Sequence, residues 1–154
     1  MIRPIEETFP ALAKSGFQIT SPVDKRYNCI AYAAGDTANW WWPFPADVRE
    51  VFWPAGATRA ESLAAFRGAF ATLGFTECGT EEFEPGFEKI ALFANDQAVP
   101  LHAARQQAGG RWTSKLGERE DIAHNLRDLE GETYGTVMLI MKRPLAKHAR
   151  AGQN

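Results

Sequence analysis

Residues 58–74 carry apolar side chains at helical spacing. Leu63, Phe66, Phe70 and Leu73 fall on one face, which predicts an amphipathic helix. Thr58-Arg59-Ala60-Glu61 reads as its capping box, with Glu61 three residues after Thr58, and Gly74 as its stop. A shorter helix is predicted upstream. Asn28 is a good N-cap, Cys29 opens the first turn, Ile30, Ala31, Ala33 and Ala34 carry about two turns, and Gly35 ends them. An alanine-rich apolar helix of this length is expected to be buried. Residues 1–26 read as irregular, punctuated by Pro4, Pro10 and Pro22.

Past residue 86 the pattern changes. Residues 89–94, 99–106 and 111–116 read as strands, separated by turns at Asn95-Asp96-Gln97 and Ala108-Gly109-Gly110. Three such strands predict an antiparallel meander. Residues 118–129 read as a helix with Ile122, Leu126 and Leu129 inward and Gly131 as its stop. Residues 134–141 form an apolar run best read as a buried central strand, and Pro144 closes the domain. The expected fold class is α+β. Two or three helices pack on an antiparallel sheet of four or more strands, as one domain over residues 1–144 with a flexible tail at 145–154. No repeat or low-complexity segment interrupts it.

Composition adds exclusions. The chain has 154 residues with 45% hydrophobic and 23% charged side chains, enough for a core without disulfide or metal staples. A net charge of −2 argues against a nucleic-acid partner, and the basic residues near the C-terminus read as a frayed end. There is no apolar run of about 18 residues, so no membrane span is expected. The N-terminus is charged at once and lacks a signal-peptide pattern, so the expected location is cytoplasmic, or exported without a cleaved signal. Cys29 and Cys78 are the two cysteines, too few for a disulfide framework, and reduced thiols are expected. The acidic residues Glu77, Glu81, Glu82 and Glu84 read as a solvated loop in preference to a cation site.

The tryptophans are unusual. Trp40, Trp41 and Trp42 are consecutive and run into Pro43-Phe44-Pro45, which suits neither a helix stripe nor an alternating strand. Such a loop lays aromatic bulk over the core, walls a cleft, or does both.

Cys29 and His102 carry the candidate chemistry. A thiol in a helix's first turn sits among free backbone donors at the positive end of the dipole. A strand-borne imidazole can take its proton, and together they suffice for acyl transfer through a thioester. A two-residue turn at Gly109-Gly110 would set position 102 opposite about 117, placing His102 on one face with Thr113 and Lys115. Asp121 is the favoured orienter of the ring, with His124 one helical turn away as the other candidate. Asn28, Trp40, Trp41, Trp42, Trp112, Lys115 and His124 are candidate substrate-binding residues. Cys29, Cys78, His102 and His124 could ligate a metal only if four distant elements converged, so no metal or other cofactor is expected.

The order of helix with cysteine, second helix and then antiparallel sheet with histidine resembles the papain-like cysteine hydrolase superfamily, including NlpC-type amidases and transglutaminase-like proteins. The stretches Tyr27-Asn28-Cys29-Ile30-Ala31, His102-Ala103-Ala104-Arg105-Gln106, Gly110-Arg111-Trp112-Thr113-Ser114-Lys115-Leu116-Gly117 and Asp121-Ile122-Ala123-His124 also resemble an uncharacterised bacterial domain family. The superfamily resemblance implies a papain-like fold, a Cys29 nucleophile whose own amide serves the oxyanion, a His102 base and a peptide or other amide substrate. Lys115-Leu116-Gly117 stands where the transglutaminase-like pattern has an aspartate. The alternative from another class is a non-catalytic papain-like interaction module with the tryptophan loop as its protein-partner surface.

Overall fold

The computed structural model describes residues 4–45 and 50–145. The predicted tail lies outside these residues apart from Leu145. The chain is α+β, with a seven-stranded sheet in the order β1-β6-β5-β4-β3-β7-β2 and every neighbouring pair antiparallel. In chain order the elements are α1 (Ile5–Thr8), α2 (Pro10–Ser15), β1 (Gln18–Ser21), α3 (Cys29–Ala34) and α4 (Leu63–Ala71). They continue with β2 (Thr76–Cys78), β3 (Phe87–Ala94), β4 (Pro100–Gln106), β5 (Trp112–Lys115), β6 (Asp121–His124), a 3-10 turn (Leu126–Leu129) and β7 (Thr136–Pro144).

Both faces of the sheet are covered. On one face α3 and α4 bury Ile30, Phe66 and Phe70 against Ile90, Leu92, Ala103 and Met141. On the other, Leu12 from α2 and Leu126 and Leu129 from the 3-10 turn cover Ala91, Phe93, Ala104 and Ile122. The alternation along β3 assigns the faces, since successive strand residues point to opposite sides. Burial of each large side chain such as Phe66 or Phe70 contributes about 1.5–3 kcal/mol.

The α3 expectation holds in detail. The Asn28 side chain accepts from the Ala31 amide, and Gly35 adopts the left-handed conformation that ends the helix. The α4 start differs. Ser62 is the N-cap, accepting from the Ala65 amide, while the Thr58 carbonyl receives the Trp53 indole and Glu61 receives that of Trp42. Leu63 begins the helix, so the capping box gives way to a later cap. The segment read as irregular contains α1, α2 and β1, three elements too short for periodicity to reveal. Within 75–86 the chain forms the edge strand β2.

The largest departure is at residues 118–129, read as one helix. They form β6, which pairs with both β5 and β1, and then the 3-10 turn. All four β6 residues are buried because both of its faces are covered, and such a strand loses the alternation that would identify it. The expected β7 is longer than predicted and mostly half-buried.

Candidate active site

Cys29 begins α3, with the first sheet face behind it. The Asn28 amide group donates to the Trp41 carbonyl, and its oxygen accepts from the amides of Ala31 and Trp41. Asn28 therefore holds the helix start and the tryptophan loop together. A second tie fixes the loop: Trp40 and Trp42 exchange backbone hydrogen bonds with Phe52.

A cavity of about 270 Å³ opens at Cys29, lined by Asn28, Trp40, Trp42, Leu101, Gly117 and Tyr134 besides the thiol. Trp42 is braced edge-on against Phe66, at 5.3 Å. Of the other predicted aromatic wall, Trp41 is buried and donates to Asp36, and Trp112 lies in the core of the opposite sheet face. Neither lines this cavity.

His102 is on the far face. Its partner in β3 is Phe93, and the two rings meet edge to face at 5.1 Å. The Tyr134 ring stacks on it at 4.0 Å and 11°. The expected register failed by one residue. Gln107 and Arg111 close a three-residue loop in which Gly109 and Gly110 both have positive φ, and Arg105 pairs with Thr113. A one-residue shift exchanges every side chain between faces. His102 consequently shares its face with Ser114, and Lys115 and Thr113 point toward α3.

A directed chain of hydrogen bonds follows. The Nδ1 of His124 lies 2.8 Å from the Asn125 carbonyl, which can only accept, so Nδ1 carries the proton. Burial lowers the His124 pKa to about 4, so Nε2 is a lone pair at neutral pH. The Ser114 hydroxyl, 2.7 Å away, must donate to it. The Ser114 oxygen then accepts from His102 Nε2–H at 3.0 Å. His102 is left with a lone pair on Nδ1, which is buried and has no partner. Burial, followed by the influence of His124, holds His102 well below its ordinary pKa.

Asp121 does not orient His102. Its Oδ2 accepts from the Tyr27 hydroxyl at 2.8 Å on the α3 face. Burial raises the Asp121 pKa, opposed by Tyr27 and Lys115. It borders a cavity of about 680 Å³ whose lining includes neither Cys29 nor His102 nor His124. Lys115 is fully buried, with its ammonium donating to the carbonyls of Asp24, Gly117 and Arg119, so it has no proton to offer a substrate. Ser114 was the residue missed, and the one-residue register error is why.

Cys29 and His102 make no hydrogen bond with each other. The Ala103 amide faces the Cys29 sulfur, as do the amides of Cys29 and Ile30. Burial outweighs these donors and pushes the thiol up to about 11. The resting pair is thiol and neutral imidazole. Tyr134 is the side chain common to both, lining the Cys29 cavity and stacking on His102.

Cys78 is a free thiol on edge strand β2, donating to the Thr80 carbonyl at 3.3 Å. Among the described residues no three Cys, His, Asp or Glu side chains converge as metal ligands. The acidic loop pairs with cations: Glu77 with Arg67, Glu81 with Arg127, and Glu84 with both Lys89 and Lys142. No helix among the described residues is long and apolar enough to cross a membrane.

Residues 18–142 match the family described as a domain of unknown function (DUF7689). The chain belongs to this family. The match runs from β1 into β7 and takes in α3, the histidine chain and the Lys115 site. No curated protein and no solved structure matches the chain.

Proposed function

We propose that the chain is a cysteine hydrolase or acyltransferase with papain-like layout, acting on an amide or ester bond. Cys29 attacks the carbonyl carbon, His102 Nδ1 takes the thiol proton, and Ser114 with His124 holds the imidazole in the required tautomer. The proton passes to the leaving group, and the Cys29 thioester is then cleaved by water or by another acceptor. The observation that carries this reading is the unpartnered lone pair on His102 Nδ1. An unsatisfied buried polar atom costs about 1–3 kcal/mol, so its retention calls for a use. Support also comes from the cavity at the sulfur and from the Ala103 amide beside it, one residue along the chain from His102.

The pair is not engaged at rest. Beyond Arg105 and Thr113, β4 and β5 have no further paired residues, and in this reading the imidazole reaches the sulfur across that opening. Tyr134 must shift as it does so. General-base contacts commonly tighten only with substrate bound. Because both groups are uncharged, proton transfer accompanies attack and no thiolate–imidazolium pair precedes it.

A second reading is a binding module that uses the same apolar cavity without turnover. The separation of Cys29 and His102 on opposite sheet faces favours it. Hydrolysis of a panel of fluorogenic amides and esters separates the two. The hydrolase reading expects turnover that Cys29→Ala abolishes and His102→Ala lowers by roughly 10²-fold or more. Turnover that survives Cys29→Ala, or ligand binding without any turnover across the panel, counts against it.

A further inference from the structure

The hydrolase reading uses neither Lys115 nor Asp121, although both are almost fully buried. Burying a charged lysine is costly unless its protons are taken and its charge is balanced. Here three carbonyls take the protons. They come from Asp24, in the segment leading to Cys29, and from Gly117 and Arg119, in the turn between β5 and β6. The ammonium also lies 4.8 Å from the centroid of the Tyr27 ring, whose hydroxyl is bonded to Asp121. Lys115 and Asp121 are register partners on adjacent strands. The network ties residues 24 and 27, immediately before the nucleophile, to one end of the sheet.

We infer that Lys115 is a positioning residue for Cys29: its caged ammonium fixes the 24–28 segment against β5 and β6 and sets a positive charge on the sulfur's side of the sheet. The inference rests on the proposed role of Cys29 as nucleophile and concerns that same site. The charged and titratable groups that face this ammonium are Asp121, Asp24, Glu118, Tyr27 and Cys29 itself. Carbonyl caging accounts for a lysine at the position where the transglutaminase-like pattern has an aspartate. The side chain is held for its charge and its three donors, and it reaches neither the cavity nor the histidines.

A purely structural lysine and a positioning lysine differ in what they do to the thiol. Labelling of Cys29 by iodoacetamide is followed by mass spectrometry from pH 7 to 10, with Cys78→Ser as the background and thermal unfolding recorded in parallel. The wild-type rate should climb nearly tenfold per pH unit toward the raised thiol pKa. Lys115→Met, which keeps the length and removes the charge, should slow labelling at pH 8 by about tenfold, equivalent to one unit of thiol pKa. Lys115→Arg should restore most of that loss. Asp121→Asn removes the opposing negative charge and should act in the other direction, speeding labelling severalfold. This opposite sign keeps the inference testable if Lys115→Met does not fold. Labelling unchanged in a folded Lys115→Met, or slowed by Asp121→Asn, overturns it. The readout needs no substrate, so a failure of the hydrolase reading would appear in the turnover assay and leave these rates as they are.

Discussion

Ser114→Ala isolates the histidine chain. The Ser114 hydroxyl is the only link between His102 Nε2 and His124 Nε2, at 3.0 and 2.7 Å. All three side chains are fully buried, and a cavity of about 320 Å³ borders His124. The substitution removes one hydroxyl and strands two ring nitrogens. Each stranded group costs about 1–3 kcal/mol, and a total near 3 kcal/mol is expected once partial relaxation is allowed. For a chain of this size that corresponds to a fall in Tm of roughly 6–12 °C. Urea unfolding is the assay, with the midpoint expected to fall and the m-value to hold, since the surface exposed on unfolding hardly changes. Ser114→Ala combined with His124→Phe should cost less than the sum of the two single changes, because both break one chain. A Ser114→Ala loss below about 0.5 kcal/mol would refute the inferred proton directions, since it would place both histidines in satisfied states without the serine.

Two further outcomes follow from the same geometry. His124 titrates at about 4 in the folded chain, against an ordinary value of 6.5. The unfolded chain therefore takes up the proton first. The stability is complete above pH 6.5 and is lost as pH falls toward 4, with about 2 kcal/mol gone at pH 5 from this group alone. His102, shifted the same way, adds to the loss. Chemical denaturation at pH 7.5 and 5 should show the fall, and a His124→Phe variant that folds should show a smaller one. The other concerns Gly135, whose φ is +74 and whose added Cβ would sit 2.1 Å from the Ala94 carbonyl oxygen. The backbone of β3 cannot yield as a side-chain tip would, so Gly135→Ala should destabilise by several kcal/mol, on the order of the most severe single substitutions. It should also release Tyr134, the neighbouring residue, from its stack on His102, which ring-current shifts of the His102 protons would report.

Much of the frame could be read from the chain because its signals were local. Asn28 and Gly35 bracket α3 with side-chain and backbone chemistry that depends on few neighbours. The apolar face of α4 and the β3–β4–β5 meander have clear periods. What escaped notice was decided by tertiary burial or by a single residue of spacing. β6 is buried on both faces, so Ile122 is as compatible with a helix stripe as with a strand. The loop at Gly109-Gly110 has three residues, and one position more than a two-residue turn was enough to move Ser114 to the side of His102 and Lys115 to the side of Cys29. Asp121, the expected partner of His102, belongs to Tyr27. No local pattern distinguishes these cases, because the residue types are the same and only the face differs.

Acylation kinetics bear most directly on the proposed chemistry. A thioester substrate with an apolar acyl group is mixed with the protein at pH 7, and the acyl adduct is followed by intact-mass spectrometry with the modified residue located by fragmentation. The account expects an adduct on Cys29 that forms roughly 10²-fold or more slowly in a folded His102→Ala variant, because that variant lacks the base. Equal rates in the two proteins, or an adduct on Cys78 alone, would contradict it.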